Sequence, residues 1–155
     1  MVNTAHPSRP AVVSCVFCST ANRVDLARLA AGPKCGSCGR PIRLDRPLAV
    51  TDADFERTIA GTGVPVVVDF HADWCGPCKM MAPVLDDFAQ RHTGDVLVLK
   101  LDTDASPATA SRLGIRGIPT LIVFQHGQES RRHVGLAKLD EVERLAGVAT
   151  SGAAG

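Results

Sequence analysis

The stretch Trp74-Cys75-Gly76-Pro77-Cys78-Lys79 contains two cysteines separated by two residues, and the hydrophobic pattern changes across it. Residues 64–70 before it form an almost continuous apolar run, which is typical of a strand buried on both faces. Apolar residues between positions 81 and 89 recur with the spacing of an amphipathic helix. The sequence therefore predicts that a buried strand ends, and a helix begins, at this pair of cysteines.

The predicted helix start affects the chemistry of the two sulfurs. Unpaired backbone N–H groups at a helix N-terminus carry partial positive charge, and they lower the pKa of a nearby thiol. The resulting thiolate is the form that attacks a disulfide. We assign Cys75, expected at the exposed end, as the attacking thiol and Cys78, one turn further on, as the thiol that resolves the mixed disulfide. A structural disulfide or half of a metal site is the alternative, but the strand-to-helix context favours redox chemistry.

Two further Cys-x-x-Cys pairs lie in the N-terminal part of the chain, Cys15 with Cys18 and Cys35 with Cys38, and sixteen residues separate the pairs. This spacing is typical of a zinc site with four thiolate ligands. Four thiolates leave no open coordination position, so the zinc would be structural. A unit of about 30 residues also buries too little apolar surface to fold without such support. Free thiols, two disulfides and an iron–sulfur cluster are the alternatives.

The length and charge of the chain limit the classes of function. It has 155 residues, 45% of them hydrophobic, with 17 basic and 16 acidic side chains. This length is enough for one domain and a small appendage, and the balanced charge gives no indication of a nucleic-acid or membrane partner. No apolar run approaches the ~20 residues of a membrane span, and we expect no secretory signal at the N-terminus. We therefore expect the protein in a reducing cytoplasm, where cysteines serve metal binding or redox catalysis.

These units give the expected domain boundaries. We expect a flexible arm at residues 1–12, a zinc ribbon of short strands at 13–44, a main domain at 48–148 and a flexible tail at 149–155, with a charged, proline-rich linker at 41–47. The pattern in the main domain predicts strands at 48–50, 64–72, 96–101, 120–124 and 130–134. It also predicts four helices: one that ends at Gly61, one that follows Cys75, and two at 107–113 and 138–146. We expect Thr51 or Asp52 to cap the first helix. His92, His126 and His133 are expected at the surface.

Residues 66–79, with Ile115-Arg116-Gly117-Ile118-Pro119-Thr120 further along, resemble the thioredoxin family. The resemblance runs from about residue 48 to residue 148, and the four N-terminal cysteines make the chain similar to the zinc-ribbon-containing bacterial thioredoxin 2 type. It implies an α/β thioredoxin fold, with a central mixed β-sheet flanked by helices and a small N-terminal zinc ribbon. It also implies protein-disulfide oxidoreductase activity, and thioredoxin is itself a familiar example of an activated Cys-x-x-Cys pair.

Three more residues have catalytic roles implied by the resemblance. Asp69 lies inside the apolar strand, where burial should raise the pKa of its carboxyl group, and the family's matching aspartate moves protons to and from the resolving sulfur. Lys100 matches the lysine near that aspartate, and Pro119 matches a cis-proline. A carboxylate satisfied by hydrogen bonds alone and a trans proline in an ordinary turn are the alternatives. The implied substrate-binding surface consists of Trp74, Gly76, Pro77, Ile118 and Gly135.

One residue beside the pair departs from the family pattern. His71 stands where thioredoxins usually carry tryptophan. It is either a half-exposed packing residue or a group whose charge tunes the neighbouring thiolate. The reduction potential therefore does not follow from the resemblance, although the reaction type does.

The function implied by the resemblance is the reduction of protein disulfides by thiol–disulfide exchange through Cys75 and Cys78. The expected partners are disulfide-containing substrate proteins and an NADPH-dependent thioredoxin reductase, which reduces the pair again. We expect one structural zinc ion, no bound organic cofactor, no nucleic-acid or membrane partner, and a monomer. The alternatives are an oxidase or isomerase, and a zinc-dependent client-binding or chaperone module whose redox role is secondary.

Overall fold

The structure is a computed structural model, of which we describe residues 7–150. Its strands are β1 Pro10–Ser14, β2 Ala21–Asp25, β3 Leu48–Val50, β4 Val66–His71, β5 Leu97–Asp102, β6 Thr120–Gln125 and β7 Gln128–Val134. Its α-helices are α1 Phe55–Gly61, α2 Gly76–Arg91, α3 Pro107–Arg112 and α4 Leu139–Ala146, and a 3-10 helix spans Leu26–Ala31. Within residues 7–150, every helix is too short or too polar to cross a membrane.

Five strands form one mixed sheet in the order β3-β5-β4-β6-β7. β3, β4 and β5 are parallel, whereas β6 runs antiparallel to both β4 and β7. Because β4 has a strand on each side and helices on both faces, residues 66–70 are all buried. Val66, Val68 and Phe70 pack with α1, while Val67 packs with α2 and α4. The fold class predicted from the sequence is confirmed.

The N-terminal unit is an antiparallel hairpin of β1 and β2 that packs against the main domain. Ala11 and Val13 are fully buried, and they belong to the same apolar cluster as Phe55 of α1. The carbonyl oxygen of Pro10 accepts a hydrogen bond of 2.8 Å from the N–H of Gly63. The ribbon therefore shares the core of the main domain, and zinc is not the only support for its folding.

The start of the chain differs from its prediction. β1 begins at Pro10, so residues 10–12 are not part of a flexible arm. Proline suggested a frayed segment, but a proline is accepted as the first residue of a strand, and the apolar side chains that follow are buried against α1. Residues 1–6 of the predicted arm and residues 151–155 of the predicted tail lie outside the described residues. The other domain boundaries stay predictions.

Asp52 caps a different helix from the one predicted. Its carboxylate accepts hydrogen bonds of 3.1 and 2.8 Å from the N–H groups of Ala108 and Thr109, in the first turn of α3. Hydrogen bonding from Thr109 lowers the pKa of this carboxyl group. α1 instead follows Asp54, whose carboxylate accepts a 2.7 Å hydrogen bond from the N–H of Thr51. The prediction was wrong because the sequence shows only which groups are neighbours along the chain.

His92 is not at the surface, so that prediction is also wrong. Its Nε2 lies 2.6 Å from Oε2 of Glu143, whose side chain is fully buried, and the contact joins the end of α2 to α4. His126 is exposed and His133 is half-buried. A buried ionisable side chain needs a polar partner, but the sequence does not reveal a partner on another helix.

Replacement of Gly61, the last residue of α1, tests the packing of the ribbon. A Cβ atom added there would lie 2.5 Å from Cγ2 of Val12 and 2.9 Å from its Cβ, distances that real Cβ atoms essentially never show. We expect Gly61→Ala to lower the free energy of unfolding by about 1–3 kcal/mol, because the ribbon must move away from α1. Denaturant unfolding measures this change.

Val12→Ala is the matched control, because it removes the methyl group that would be closest to the new Cβ. The double variant should lose less stability than the sum of the two single changes, with a coupling energy of about 1 kcal/mol. A Gly61→Ala protein as stable as the unsubstituted one would contradict the packing of β1 on α1.

Candidate functional site

The cysteine pair lies where the sequence predicts it, between β4 and α2. β4 ends at His71, and α2 begins at Gly76 with Cys75 as its N-cap residue. The two sulfurs form a disulfide, and the Cα atoms of Cys75 and Cys78 are 5.2 Å apart. Sγ of Cys75 accepts a hydrogen bond of 3.2 Å from the N–H of Cys78 in the first turn of α2. After reduction, this N–H group would stabilise negative charge on Cys75.

Exposure does not distinguish the two cysteines, contrary to the prediction. The exposed fraction is 4% for Cys75 and 5% for Cys78. Both pack with Ala72 and Ile118, and Sγ of Cys75 lies 3.9 Å from the carbonyl oxygen of Ile118. The prediction that Cys75 is exposed is wrong for this disulfide form, because Ile118 packs over the pair. Cys75 is distinguished instead by the helix N–H group that points at its sulfur.

Residues of the predicted substrate surface lie on loops next to the pair. The Ile118–Pro119 peptide bond is cis, as the family resemblance implies. The carbonyl oxygen of Pro119 accepts a 2.8 Å hydrogen bond from the N–H of Gly135, which joins the start of β6 to the end of β7. Gly135 has a φ of +100°, a conformation that residues with side chains rarely adopt. Gly76 and Pro77 are exposed, and a Cβ built on Gly76 would meet no atom within 4 Å.

Trp74 is 70% exposed, and a residue that the sequence did not single out orients it. Its indole Nε1 donates a 2.7 Å hydrogen bond to Oδ2 of Asp104, in the turn after β5. Two further apolar residues, Val134 and Leu136, are 62% and 47% exposed and flank Gly135. Val134 ends a strand whose other residues are polar, and this is the signal that could have identified it. Exposed apolar side chains therefore occur on both loops next to the pair.

Asp69 and Lys100 are opposite each other on the paired strands β4 and β5. Asp69 is 5% exposed, and its Oδ1 has no hydrogen-bond partner within residues 7–150. Burial raises the pKa of its carboxyl group to about 7, and the positive charge of Lys100 opposes this rise. A carboxylate satisfied by hydrogen bonds alone, the alternative left open by the sequence, is therefore not what the structure contains.

The four N-terminal cysteines come together at one point. Sγ of Cys15 is 3.7 Å from Sγ of Cys38, Sγ of Cys18 is 3.6 Å from Sγ of Cys35, and all four atoms lie within 4.8 Å of one another. A tetrahedral zinc site with Zn–S bonds of about 2.3 Å has sulfur–sulfur separations of about 3.8 Å. The donor set and its spacing therefore fit zinc. All four residues are free thiols, so they do not form the two disulfides that were one alternative.

Polar N–H groups stabilise thiolates in this cluster. The N–H of Ser37 and Nδ2 of Asn22 each donate a hydrogen bond of 3.4 Å to Sγ of Cys35. Hydrogen bonding, first from the N–H of Cys38 and next from Asn22, lowers the pKa of the Cys35 thiol to about 6. The thiolate is the form of cysteine that binds zinc. Asn22, which sequence reasoning missed, therefore supports the metal site.

The metal site and the disulfide have different neighbours. The ribbon packs along α1, since Arg57 donates a 2.7 Å hydrogen bond to Oγ of Ser14, next to Cys15, and the N–H of Gly63 donates one of 2.8 Å to the carbonyl oxygen of Pro10. Cys75 and Cys78 pack instead with Ala72 and Ile118. A zinc ion held by the four cysteines would therefore support the fold without taking part in disulfide exchange.

Comparisons with known proteins agree with both parts of this arrangement. Residues 46–146 match the family described as Thioredoxin, and residues 14–40 match the one described as Thioredoxin 2, N-terminal. Thioredoxin 1 of Synechococcus elongatus is 51% identical over 87 residues, which cover 56% of this chain and 81% of that protein. Thioredoxin of Alicyclobacillus acidocaldarius is 47% identical over 96 residues, which cover 62% of this chain and 90% of that protein.

A solved structure gives the same result for the fold. A mutant thioredoxin from Halobacterium salinarum matches with a TM-score of 0.58 and 36% sequence identity, covering 68% of this chain and 91% of the other. These matches extend over β3 to α4 and include the cysteine pair at the start of α2. The chain belongs to the thioredoxin family of protein-disulfide oxidoreductases, and its N-terminal zinc ribbon matches the thioredoxin 2 type.

Proposed function

We propose that this thioredoxin-family protein works as a protein-disulfide reductase through Cys75 and Cys78. The observation that carries the proposal is the 3.2 Å hydrogen bond from the N–H of Cys78 to Sγ of Cys75. A thiolate at this position is stabilised by the start of α2, so Cys75 is the better nucleophile of the pair. In the reduced protein, Cys75 accordingly attacks the substrate disulfide.

The proposed reaction has two exchange steps. The Cys75 thiolate bonds to one substrate sulfur, and the other substrate sulfur leaves as a thiolate that takes a proton. The Asp69 carboxylate then accepts the proton of the Cys78 thiol, and the Cys78 thiolate attacks Sγ of Cys75. The second substrate sulfur leaves, so the substrate gains two electrons and Cys75 and Cys78 end as a disulfide. The pKa of Asp69, about 7, suits a base that works near neutral pH, and Lys100 favours its charged form.

We propose that substrate proteins bind on the loops next to the pair. Trp74 offers an exposed apolar ring, and the exposed Gly76 and Pro77 leave room for an approaching chain. The family resemblance supports the pairing of an extended substrate segment with the backbone of Ile118 as an added strand, and Ile118 packs against Cys75 and Cys78. A side chain at Gly135 would obstruct this approach.

The oxidised pair must be reduced for the next turnover. We propose that an NADPH-dependent thioredoxin reductase supplies the two electrons, and that the protein acts as a monomer in the cytoplasm. The family relationship supports disulfide-containing substrates and a reductase as partners. The cysteines carry the electrons themselves, so the proposal includes no bound organic cofactor, and the four thiolates of the ribbon hold one structural zinc ion.

A client-binding role for the ribbon is the second candidate. Val16 and Phe17, between the first two ribbon cysteines, are 66% and 57% exposed. They border a mostly apolar groove of about 210 Å³ that extends to Ile42 and Leu48. Exposed apolar surface of this kind can bind unfolded segments. This candidate would make disulfide exchange secondary, whereas the reductase proposal makes it the main activity.

Single cysteine substitutions test the assignment of the two sulfurs. Cys78→Ser should keep the attacking thiol and accumulate a stable mixed disulfide with insulin, because no resolving thiol remains. Cys75→Ser should form no such adduct, and both variants should lose insulin reduction down to the rate of dithiothreitol alone. Non-reducing electrophoresis and mass spectrometry measure the adducts.

An adduct formed by Cys75→Ser but not by Cys78→Ser would reverse the assignment. The double variant Cys75→Ser, Cys78→Ser separates the two candidate functions. If it still prevents the aggregation of unfolded client proteins as well as the unsubstituted protein does, the client-binding role is favoured over the reductase role.

Asp69→Asn should stabilise the fold in a pH-dependent way. Folding raises the pKa of Asp69 from 3.8 to about 7, so as pH increases the unfolded carboxyl group ionises first and stability falls between about pH 4 and pH 7. Since one pKa unit corresponds to about 1.4 kcal/mol, the stabilisation by Asp69→Asn should reach on the order of 4 kcal/mol above pH 7. It should become small near pH 4 and disappear below about pH 3, where the carboxyl group is protonated in both the folded and the unfolded protein. Denaturant unfolding at pH 4 and pH 8 measures the difference.

The same variant should reduce insulin more slowly, most clearly between pH 7 and pH 8, where the carboxylate base is present. Asp86→Asn, which changes an exposed carboxylate on α2, is the matched control. It should alter neither the pH dependence of stability nor the pH dependence of insulin reduction. Equal reduction rates for Asp69→Asn and the unsubstituted protein across this range would remove the proton-transfer role of Asp69.

Removal of one zinc ligand tests the metal site. The purified protein should contain about one zinc per chain, and Cys35→Ser should bind far less and lose a few kcal/mol of unfolding free energy, because metal binding contributes to folding. Insulin reduction by the fraction that stays folded should change little, since Cys75 and Cys78 pack with Ala72 and Ile118 and not with the ribbon. Elemental analysis and unfolding curves measure these effects. Protein without zinc and with an unchanged unfolding curve would contradict a structural metal.

A further inference from the structure

A cleft beside the first turn of α2 opens next to the buried carboxylate of Asp69. It encloses about 370 Å³ and is open to solvent. Its polar walls include Asp69, His71, Asp73, Cys78, Lys79 and Lys100. The resolving cysteine, its proposed base and a histidine therefore border one space, which has room for several water molecules.

His71 and Asp69 lie on the same face of β4. Side chains alternate along a strand, so residues two apart point to the same side at a spacing of about 7 Å. The register places Lys100 opposite Asp69, and Asp102 opposite His71, on the neighbouring β5. This spacing is too long for a direct hydrogen bond between the two side chains, but a water molecule in the cleft can bridge them.

The chemistry of Asp69 requires a route for its proton. With a pKa of about 7, Asp69 is partly protonated at pH 7, and it must release this proton before it can accept the proton of Cys78. Asp69 is only 5% exposed, so direct exchange with bulk water is restricted. The imidazole of His71 is half-buried at the cleft, and within residues 7–150 no protein group forms a hydrogen bond with it. Its nitrogens are therefore available to water.

We propose that His71 acts through Asp69 as a positioning and proton-transfer residue, which carries the proton between the buried carboxylate and the solvent. The inference rests on the proposed function, in which Asp69 is the base for Cys78. The carboxyl proton of Asp69 passes to a water molecule in the cleft, and that water gives a proton to the free nitrogen of His71. The imidazolium then releases its proton to bulk water. No electron moves in these steps, and both side chains return to their starting forms.

The charges around the imidazole suit this role. Burial lowers the pKa of His71 and the positive charge of Lys100 adds to this effect, while the carboxylates of Asp102 and Asp73 oppose it. Lys79 also faces the cleft, from α2. The lowered pKa keeps most of the imidazole neutral at pH 7, and the neutral form is the one that accepts a proton.

Chemical rescue tests the proposal. Prereduced protein is mixed with saturating insulin, so that resolution by Cys78 limits the rate, and the fluorescence of Trp74, the only tryptophan in the chain, reports formation of the disulfide. We expect His71→Ala and His71→Gln to react roughly fivefold to tenfold more slowly at pH 7, a smaller effect than the ~10²-fold of a group in direct contact with the reacting atoms. Added imidazole, at constant pH and ionic strength, should restore most of the rate of His71→Ala, because it fits the vacated space.

The double variant Asp69→Asn, His71→Ala is the matched control, since it lacks the carboxyl proton and imidazole should not accelerate it. Rates of both His71 variants within about twofold of the unsubstituted rate would overturn the proposal. Slower rates that imidazole does not restore would also overturn it, because they indicate a packing role. If the unsubstituted protein itself fails to reduce insulin, the proposed function is contradicted instead.

Discussion

The site depends on one hydrogen bond at the start of α2, from the backbone N–H of Cys78 to Sγ of Cys75. The position of this donor is fixed because α2 begins shortly after the end of β4. β4 itself is held in place by a paired strand on each side and by helices on both faces. A fixed donor stabilises a thiolate without first having to reorganise, whereas water must do so. The buried core of the sheet therefore serves the chemistry of the sulfur as well as the stability of the fold.

The same strand contains a group that lowers stability. Asp69 is the only polar residue among the buried residues 66–70, and its Oδ1 has no hydrogen-bond partner within residues 7–150. A structural role alone would favour an apolar side chain here. Local rules of this kind are broken mainly at functional sites, and Asp69 borders the same cleft as Cys78. The position of Asp69 therefore lowers the stability of the fold and also places its carboxyl group next to Cys78, where the proposed proton transfer takes place.

The sequence was sufficient for features that depend on neighbours along the chain, such as the strand and helix around the cysteine pair and the fold class. It was not sufficient for contacts between distant segments. Asp52 caps a helix 57 residues further on, Trp74 is oriented by Asp104, and His92 meets Glu143 on another helix. In the sequence, each of these polar side chains resembles a surface residue, because its partner is far away along the chain. The packing of the ribbon on α1 was missed for the same reason, since a short apolar strand does not reveal which surface will cover it.

The position of the ribbon has a practical consequence. Because Ser14 bonds to Arg57 of α1 and Pro10 bonds to Gly63, the ribbon covers α1, and the residues that pack around Cys75 and Cys78 come from other segments. Coupling the chain to a solid support through the ribbon would therefore attach it at residues that do not pack around the cysteine pair. An immobilised form of this kind would retain trapped proteins at Cys75 while the support is washed.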